Sequence, residues 1–86
     1  MFSVEFSRKA DKFVRVLPKD LSKRIVIAAE SLGAEQFPRG AIKVKGEDNT
    51  FRVRVGDYRV LYEIHADKQL ILVTRIDKRS RVYENF

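Results

Sequence analysis

Cysteine is absent from this chain of 86 residues. That excludes disulfides, thiolate metal sites and a cysteine nucleophile, and it suits a reducing compartment. Histidine is nearly absent too, His65 being the single one, and no His/Cys/Asp/Glu group has the spacing of metal ligands. No glycine-rich loop opens a helix. Zinc and P-loop chemistry are therefore argued against, and no cofactor or metal is expected. Long apolar runs are missing: the longest covers residues 25–29, and the opening MFSVEFSRK has no apolar segment. Neither a signal peptide nor a membrane span is expected, and the expected location is cytoplasmic. Acidic residues are in the minority, 12 against 18 Lys and Arg, for a net charge of +6 and a pI near 9.9. Such a balance points to an acidic partner, nucleic acid or an acidic protein.

What the chain does have is 44% hydrophobic residues, many of them β-branched. That is ordinary globular material, enough for one small core. A single domain over residues 1–86 is expected, without repeats or linkers. The charge is uneven: residues 1–38 hold seven basic against five acidic side chains, and residues 39–83 hold eleven against six. On this count the basic excess lies with the strands and the tail, not the helices.

Periodicity then divides the chain. Phe2, Val4 and Phe6 alternate with Ser3 and Glu5 as a short strand. Ser7 is placed to cap a helix over residues 8–16, with Ala10, Phe13, Val14 and Leu17 on one side. Pro18 ends that helix or opens the next. The second helix is expected over residues 19–32, with Leu21, Ile25, Ala28, Ala29 and Leu32 inward and Gly33 as its C-cap. After a loop, residues 41–45 read as a strand with Ile42 and Val44 inward and Lys43 and Lys45 outward. Residues 70–76 form a last strand whose apolar start, LILV, suggests a central position. The fold class is α+β: an N-terminal strand and a two-helix hairpin packed on a mostly antiparallel sheet of four to five strands, one face left open.

The most informative stretch is residues 51–64, FRVRVGDYRVLYEI. It reads as a β-hairpin with Gly56-Asp57 as a type II′ turn, because glycine supplies the positive φ at the first turn position. The register then sets Val55 against Tyr58, Arg54 against Arg59, Val53 against Val60 and Phe51 against Tyr62. Two arginines directly opposite are destabilising unless something anionic sits between them. Their planar forks suit phosphate oxygens. A solvated outer strand face explains the same pattern about as well. By parity the open face carries Lys43, Lys45, Arg52, Arg54 and Arg59. His65 shares that parity but lies roughly 20 Å along the strand from Arg59, and reads as an exposed strand-end residue. Suitably placed carboxylates are missing from the face in this reading. Arginine, lysine and tyrosine alone can serve one reaction well, cleavage of RNA by its own 2′-hydroxyl. There the nucleophile belongs to the substrate, and the protein orients it, neutralises the phosphorane and moves protons. Tyr83 can also stack on an unpaired base.

Four motifs, KVKG at 43–46, FRVRV at 51–55, DYRVLYEI at 57–64 and the tail KRSRVY at 78–83, with LPK at the helix junction, resemble the RelE/ParE toxin superfamily. The resemblance is greatest to RelE-type mRNA interferases of a short, archaeal-like form. It implies a toxin of a type II toxin–antitoxin pair that cuts mRNA in the ribosomal A site. It also implies a RelB-like antitoxin, with ribosome and mRNA as further partners and a monomeric free toxin. By the same resemblance Arg59 stabilises the transition-state phosphate, Arg79 serves the leaving group, and Tyr83 stacks on and orients the message. Arg52 and Arg54 stand where the family has lysines, one of them a candidate general base; arginine stays protonated and is a poor base. Arg54 joins Arg59, Arg79 and Tyr83 in the catalytic set, while Lys43, Lys45, Arg52 and Arg81 are the expected RNA contacts. Arg81 can replace Arg79 if the tail is shifted in register. Two alternatives remain open: a ParE-like gyrase inhibitor, and an inactive relative of the fold that only binds. Arg79 and Arg81 also suit an ordinary charged tail, and Tyr83 and Phe86 suit anchors on the sheet.

Overall fold

Ser7 makes the first turn of the chain. Its Oγ accepts from Ala10 N at 3.1 Å, capping helix α1 (Arg8–Arg15), and donates to Thr74 O at 2.8 Å. The cap thus also ties the helix to the sheet. In the computed structural model, which describes residues 1–78, the elements follow as β1 (Ser3–Phe6), α1, α2 (Lys19–Ser31), β2 (Ile42–Lys43), β3 (Thr50–Val55), β4 (Tyr58–His65) and β5 (Leu70–Lys78). The strands lie in the order β1-β5-β4-β3-β2, antiparallel except for the parallel pair β1 and β5. The α+β class and the five-stranded, mostly antiparallel sheet are as expected, with β5 near its centre.

The core lies between the helices and one sheet face. Ala10, Val14, Ile25, Ala29 and Leu32 from the helical side meet Val60, Tyr62, Ile71, Val73 and Ile76 from β4 and β5. Those helical positions are the inward stripes read from the sequence. Truncating a buried Leu or Ile to Ala in such a core costs roughly 2–5 kcal/mol. Pro18 opens α2 as its N-cap; its fixed φ suits a helix entrance.

Three details depart from the sequence reading. Gly33 follows the C-cap Leu32 but is not one of the glycines at positive φ, which are Gly40, Gly46 and Gly56. A side chain is excluded at Gly33 by crowding: a Cβ there would meet Phe2 O at 2.6 Å and Val4 Cγ2 at 3.3 Å. The strand expected at 41–45 shrinks to Ile42–Lys43, and its faces are reversed. Ile42 pairs with Arg52 on the open side, and Lys43 pairs with Phe51 on the helix side. Two paired residues bury too little for apolar alternation to choose a register. Phe37 from the preceding loop covers Phe51 instead, edge to face at 5.0 Å. Lastly, β5 runs on to Lys78, two residues past the expected end at Ile76, so Asp77 belongs to the sheet and not to the tail.

Candidate functional site on the open sheet face

The hairpin adopts the register its turn demands. Gly56 has φ of 61° while Asp57 keeps negative φ, the signature of a type II′ turn. Val55 faces Tyr58, Arg54 faces Arg59, Val53 faces Val60 and Phe51 faces Tyr62. Arg52, Arg54 and Arg59 therefore share the sheet face turned away from the helices. Arg54 is exposed, whereas Arg52 and Arg59 are partly buried.

Across β4 the row continues to a residue that sequence reasoning missed. Asp77 lies directly opposite Arg59. Arg59 donates from Nε to Asp77 Oδ1 at 3.2 Å and from Nη2 to Oδ2 at 3.3 Å, a bidentate pair. Arg75 Nε reaches Oδ2 at 3.3 Å. Both paired side chains are mostly covered, 16% exposed for Arg59 and 15% for Asp77. One row thus reads plus, plus, minus: Arg54, Arg59, Asp77. The repulsion between the two opposed arginines is offset from inside the protein, by a carboxylate on the far side of Arg59.

Asp77 faces outward because of a β-bulge. Leu61 pairs with Arg75 and Tyr62 with Val73, leaving Thr74 as an extra residue in β5. Before it the odd residues Ile71 and Val73 point to the core; after it the even Ile76 does. A bulge shifts the alternation by one and re-aims the side chains beyond it. A signal was present in the sequence. Strict alternation from Ile71 would bury Asp77 and expose Ile76, a polarity error that an extra residue repairs. The expected lack of carboxylates on the face is corrected accordingly.

The remaining candidates are scattered. Lys43 stands on the helix-side face of the edge strand, and Lys45 lies in the turn beyond it, so the parity that set them beside Arg52 and Arg54 does not hold. Arg79, Arg81 and Tyr83 fall outside the described residues, as does Phe86. His65 ends β4 as expected but is only partly exposed, with Nε2 at 2.8 Å from Glu63 Oε1. Around that end the open face also carries Leu61, Leu70 and Leu72, half-buried. The basic excess is not confined to the strands either: Arg8, Lys9, Lys12, Arg15, Lys19, Lys23 and Arg24 are all exposed on the two helices. Glu5 and Glu35, outside the helices, mask this in a count over residues 1–38. Among the described residues no three His, Cys, Asp or Glu side chains gather as a metal site would require, and no helix is long and apolar enough to cross a membrane.

The chain and its fold are similar to known proteins. Residues 2–83 match the family model of the ParE toxin of type II toxin–antitoxin systems. RelE1 and the toxin RelE3 of Methanocaldococcus jannaschii are each 30% identical over 87 residues, covering 98% and 96% of this chain and 97% of each relative. The archaeal RelE–RelB complex from Pyrococcus horikoshii contains a chain that superposes with a TM-score of 0.81 at 28% identity. That match covers 93% of this chain and 97% of the other.

Proposed function

Since this chain belongs to the RelE/ParE superfamily of type II toxin–antitoxin toxins, we propose that it is a ribosome-dependent endoribonuclease that cuts mRNA in the A site. The observation that carries this reading is the opposition of Arg54 and Arg59 on an open sheet face, flanked by Arg52 and Arg75. Guanidinium groups in that relation suit a phosphate whose charge grows in the transition state. In the reaction the 2′-hydroxyl oxygen bonds to the adjacent phosphorus and the bond from phosphorus to the 5′-oxygen breaks. The hydroxyl proton leaves to the Tyr83 oxygen or to water, and the departing oxygen takes one up from Arg79 or from water. Arg59 and Arg54 neutralise the phosphorane. Arg79 serves the leaving oxygen, and Tyr83 stacks on the message and takes part in proton transfer. Arg52, Arg81, Lys43 and Lys45 hold the RNA, the last two from the sheet edge. Protein side chains suffice in this scheme, and the toxin acts as one domain.

The partner in this reading is a RelB-like antitoxin, a reading supported by the RelE–RelB complex of the Pyrococcus relative; its acidic patches meet the basic face by charge complementarity. The free toxin is monomeric and cytoplasmic. The test maps message ends on programmed ribosomes. New ends within A-site codons are expected from the wild type and none on naked RNA. Arg59→Ala should lower the cleavage rate by about 10²- to 10³-fold, the cost of losing one charge-stabilising group. Wild-type protein that leaves the message intact sinks the proposal. The match to the ParE description then favours gyrase inhibition, read by a supercoiling assay.

A further inference from the structure

Arginine brings five N–H donors to a site, arranged in a plane with a side edge and an end edge. In Arg59 the side edge is spoken for: Nε and one Nη2 hydrogen go to the two oxygens of Asp77, at 3.2 and 3.3 Å. Among the described residues, two hydrogens on Nη1 and one on Nη2 are left without a partner, enough for a bidentate grip on a phosphate. Asp77 is itself braced from its own strand by Arg75 at 3.3 Å. The row does not arise by default, since Asp77 reaches this face only because Thr74 is bulged out of β5. A flexible, charged side chain opposite another arginine would otherwise swing away from Arg54 into solvent.

We propose that Asp77 is a positioning residue for Arg59: its carboxylate holds the side edge of the guanidinium and so presents the end edge, beside Arg54, to the scissile phosphate. This inference rests on the ribonuclease reading. Asp77 does not act as the base. Its two oxygens are already taken up, by the bidentate hydrogen bonds from Arg59 and the ion pair with Arg75. The contribution runs through Arg59 alone. A carboxylate beside the phosphate site also repels RNA, so its removal should not loosen binding. That combination distinguishes a positioning role from general electrostatic attraction, in which every lost charge of the basic face would act on affinity.

The test uses the full chain with Asp77→Asn, Arg59→Ala and the double variant. Asp77→Ser stands in where the asparagine variant does not fold. In the free protein, NMR of the arginine side chains should give Arg59 an Nε–H that exchanges slowly with water and Nη protons split by hindered rotation. Both features should be lost in Asp77→Asn. On programmed ribosomes, Asp77→Asn should slow single-turnover cleavage by about 10- to 100-fold, as misplaced catalytic groups do. The ribosome concentration for half-maximal rate should stay the same or fall. In the Arg59→Ala background the same change should have less than about a twofold effect, because a residue acting only through Arg59 is fully coupled to it. Unchanged Arg59 signals in Asp77→Asn overturn the proposal. So does an undiminished effect of Asp77→Asn in the Arg59→Ala background, which would mean an independent role such as proton acceptor. A wild-type chain that cuts no message overturns the ribonuclease reading; the Arg59 signals then decide the clamp between Asp77 and Arg59 by themselves.

Discussion

Tyr62 is fully buried in the middle of β4, yet its hydroxyl donates to Gln36 O at 2.7 Å. Gln36 in turn donates from Nε2 to Leu32 O and Gly33 O, satisfying carbonyls at the end of α2. One phenol therefore anchors the loop between helix and sheet. Burial pushes its pKa up from 10.0 to about 12. Below the lower value the proton is bound whether the chain is folded or not. Between the two, the unfolded chain releases it first, so folding stability falls as pH rises through this window, by up to about 3 kcal/mol. Tyr62→Phe should cost about 1 kcal/mol at neutral pH, the worth of the hydrogen bond. It should also flatten the decline at alkaline pH. Urea midpoints at pH ~8 and ~11, either side of the ordinary tyrosine value, check this; equal declines in both proteins would reject the assignment. The inward direction of Tyr62 was legible from alternation. Its partner was not, because Gln36 lies 26 positions away in a loop without periodicity.

At the scale of elements, one close approach joins the turn after α2 to the residue before β1. Phe2 N donates to Gly33 O at 2.9 Å, and the return path brings Phe2 O to 2.6 Å from where a Cβ on Gly33 would sit. The lower entropy of the unfolded chain alone would have alanine at this position stabilise by about 0.4–1 kcal/mol. The contact is with backbone, which cannot swing aside, so Gly33→Ala should instead destabilise by about 1–3 kcal/mol. For a chain of this size that is a fall in Tm of about 4–8 °C for each kcal/mol, read by thermal denaturation. A gain in Tm would mean that β1 yields. The sequence marked Gly33 as special but for the wrong reason, since a glycine after a helix usually signals a left-handed cap. Similarly, the hairpin at 51–64 was legible to the residue because a two-residue turn dictates register. The edge strand at 42–43 was not, because no turn and little buried area constrain it.

For the whole molecule, charge is the property that reaches furthest. The net charge is +6, and among the described residues positive groups stand on both sides, in the arginine row on the open sheet face and as seven exposed basic residues on the helices. A polyanion held by contacts of that kind is lost steeply with salt, each neutralised phosphate adding about 0.7–0.9 to the slope of log K against log salt. With roughly three to five such contacts, affinity for programmed ribosomes should fall about 20- to 500-fold between ~50 and ~200 mM salt. A cleavage titration at the two concentrations measures it. A response below about threefold would show that charge is not what binds the substrate.

The order of elements, the inward helical stripes, the hairpin and its opposed arginines come from the sequence by itself, because local periodicity and turn chemistry act over a few residues. So does the resemblance to the toxin superfamily, carried by short motifs in a fixed order. Only the tertiary structure decided that Asp77 would stand beside Arg59. The two are 18 positions apart, and their meeting depends on a bulge that chain-local rules do not require. It arises where β5 must keep both Val73 and Ile76 in the core while moving an aspartate out of it.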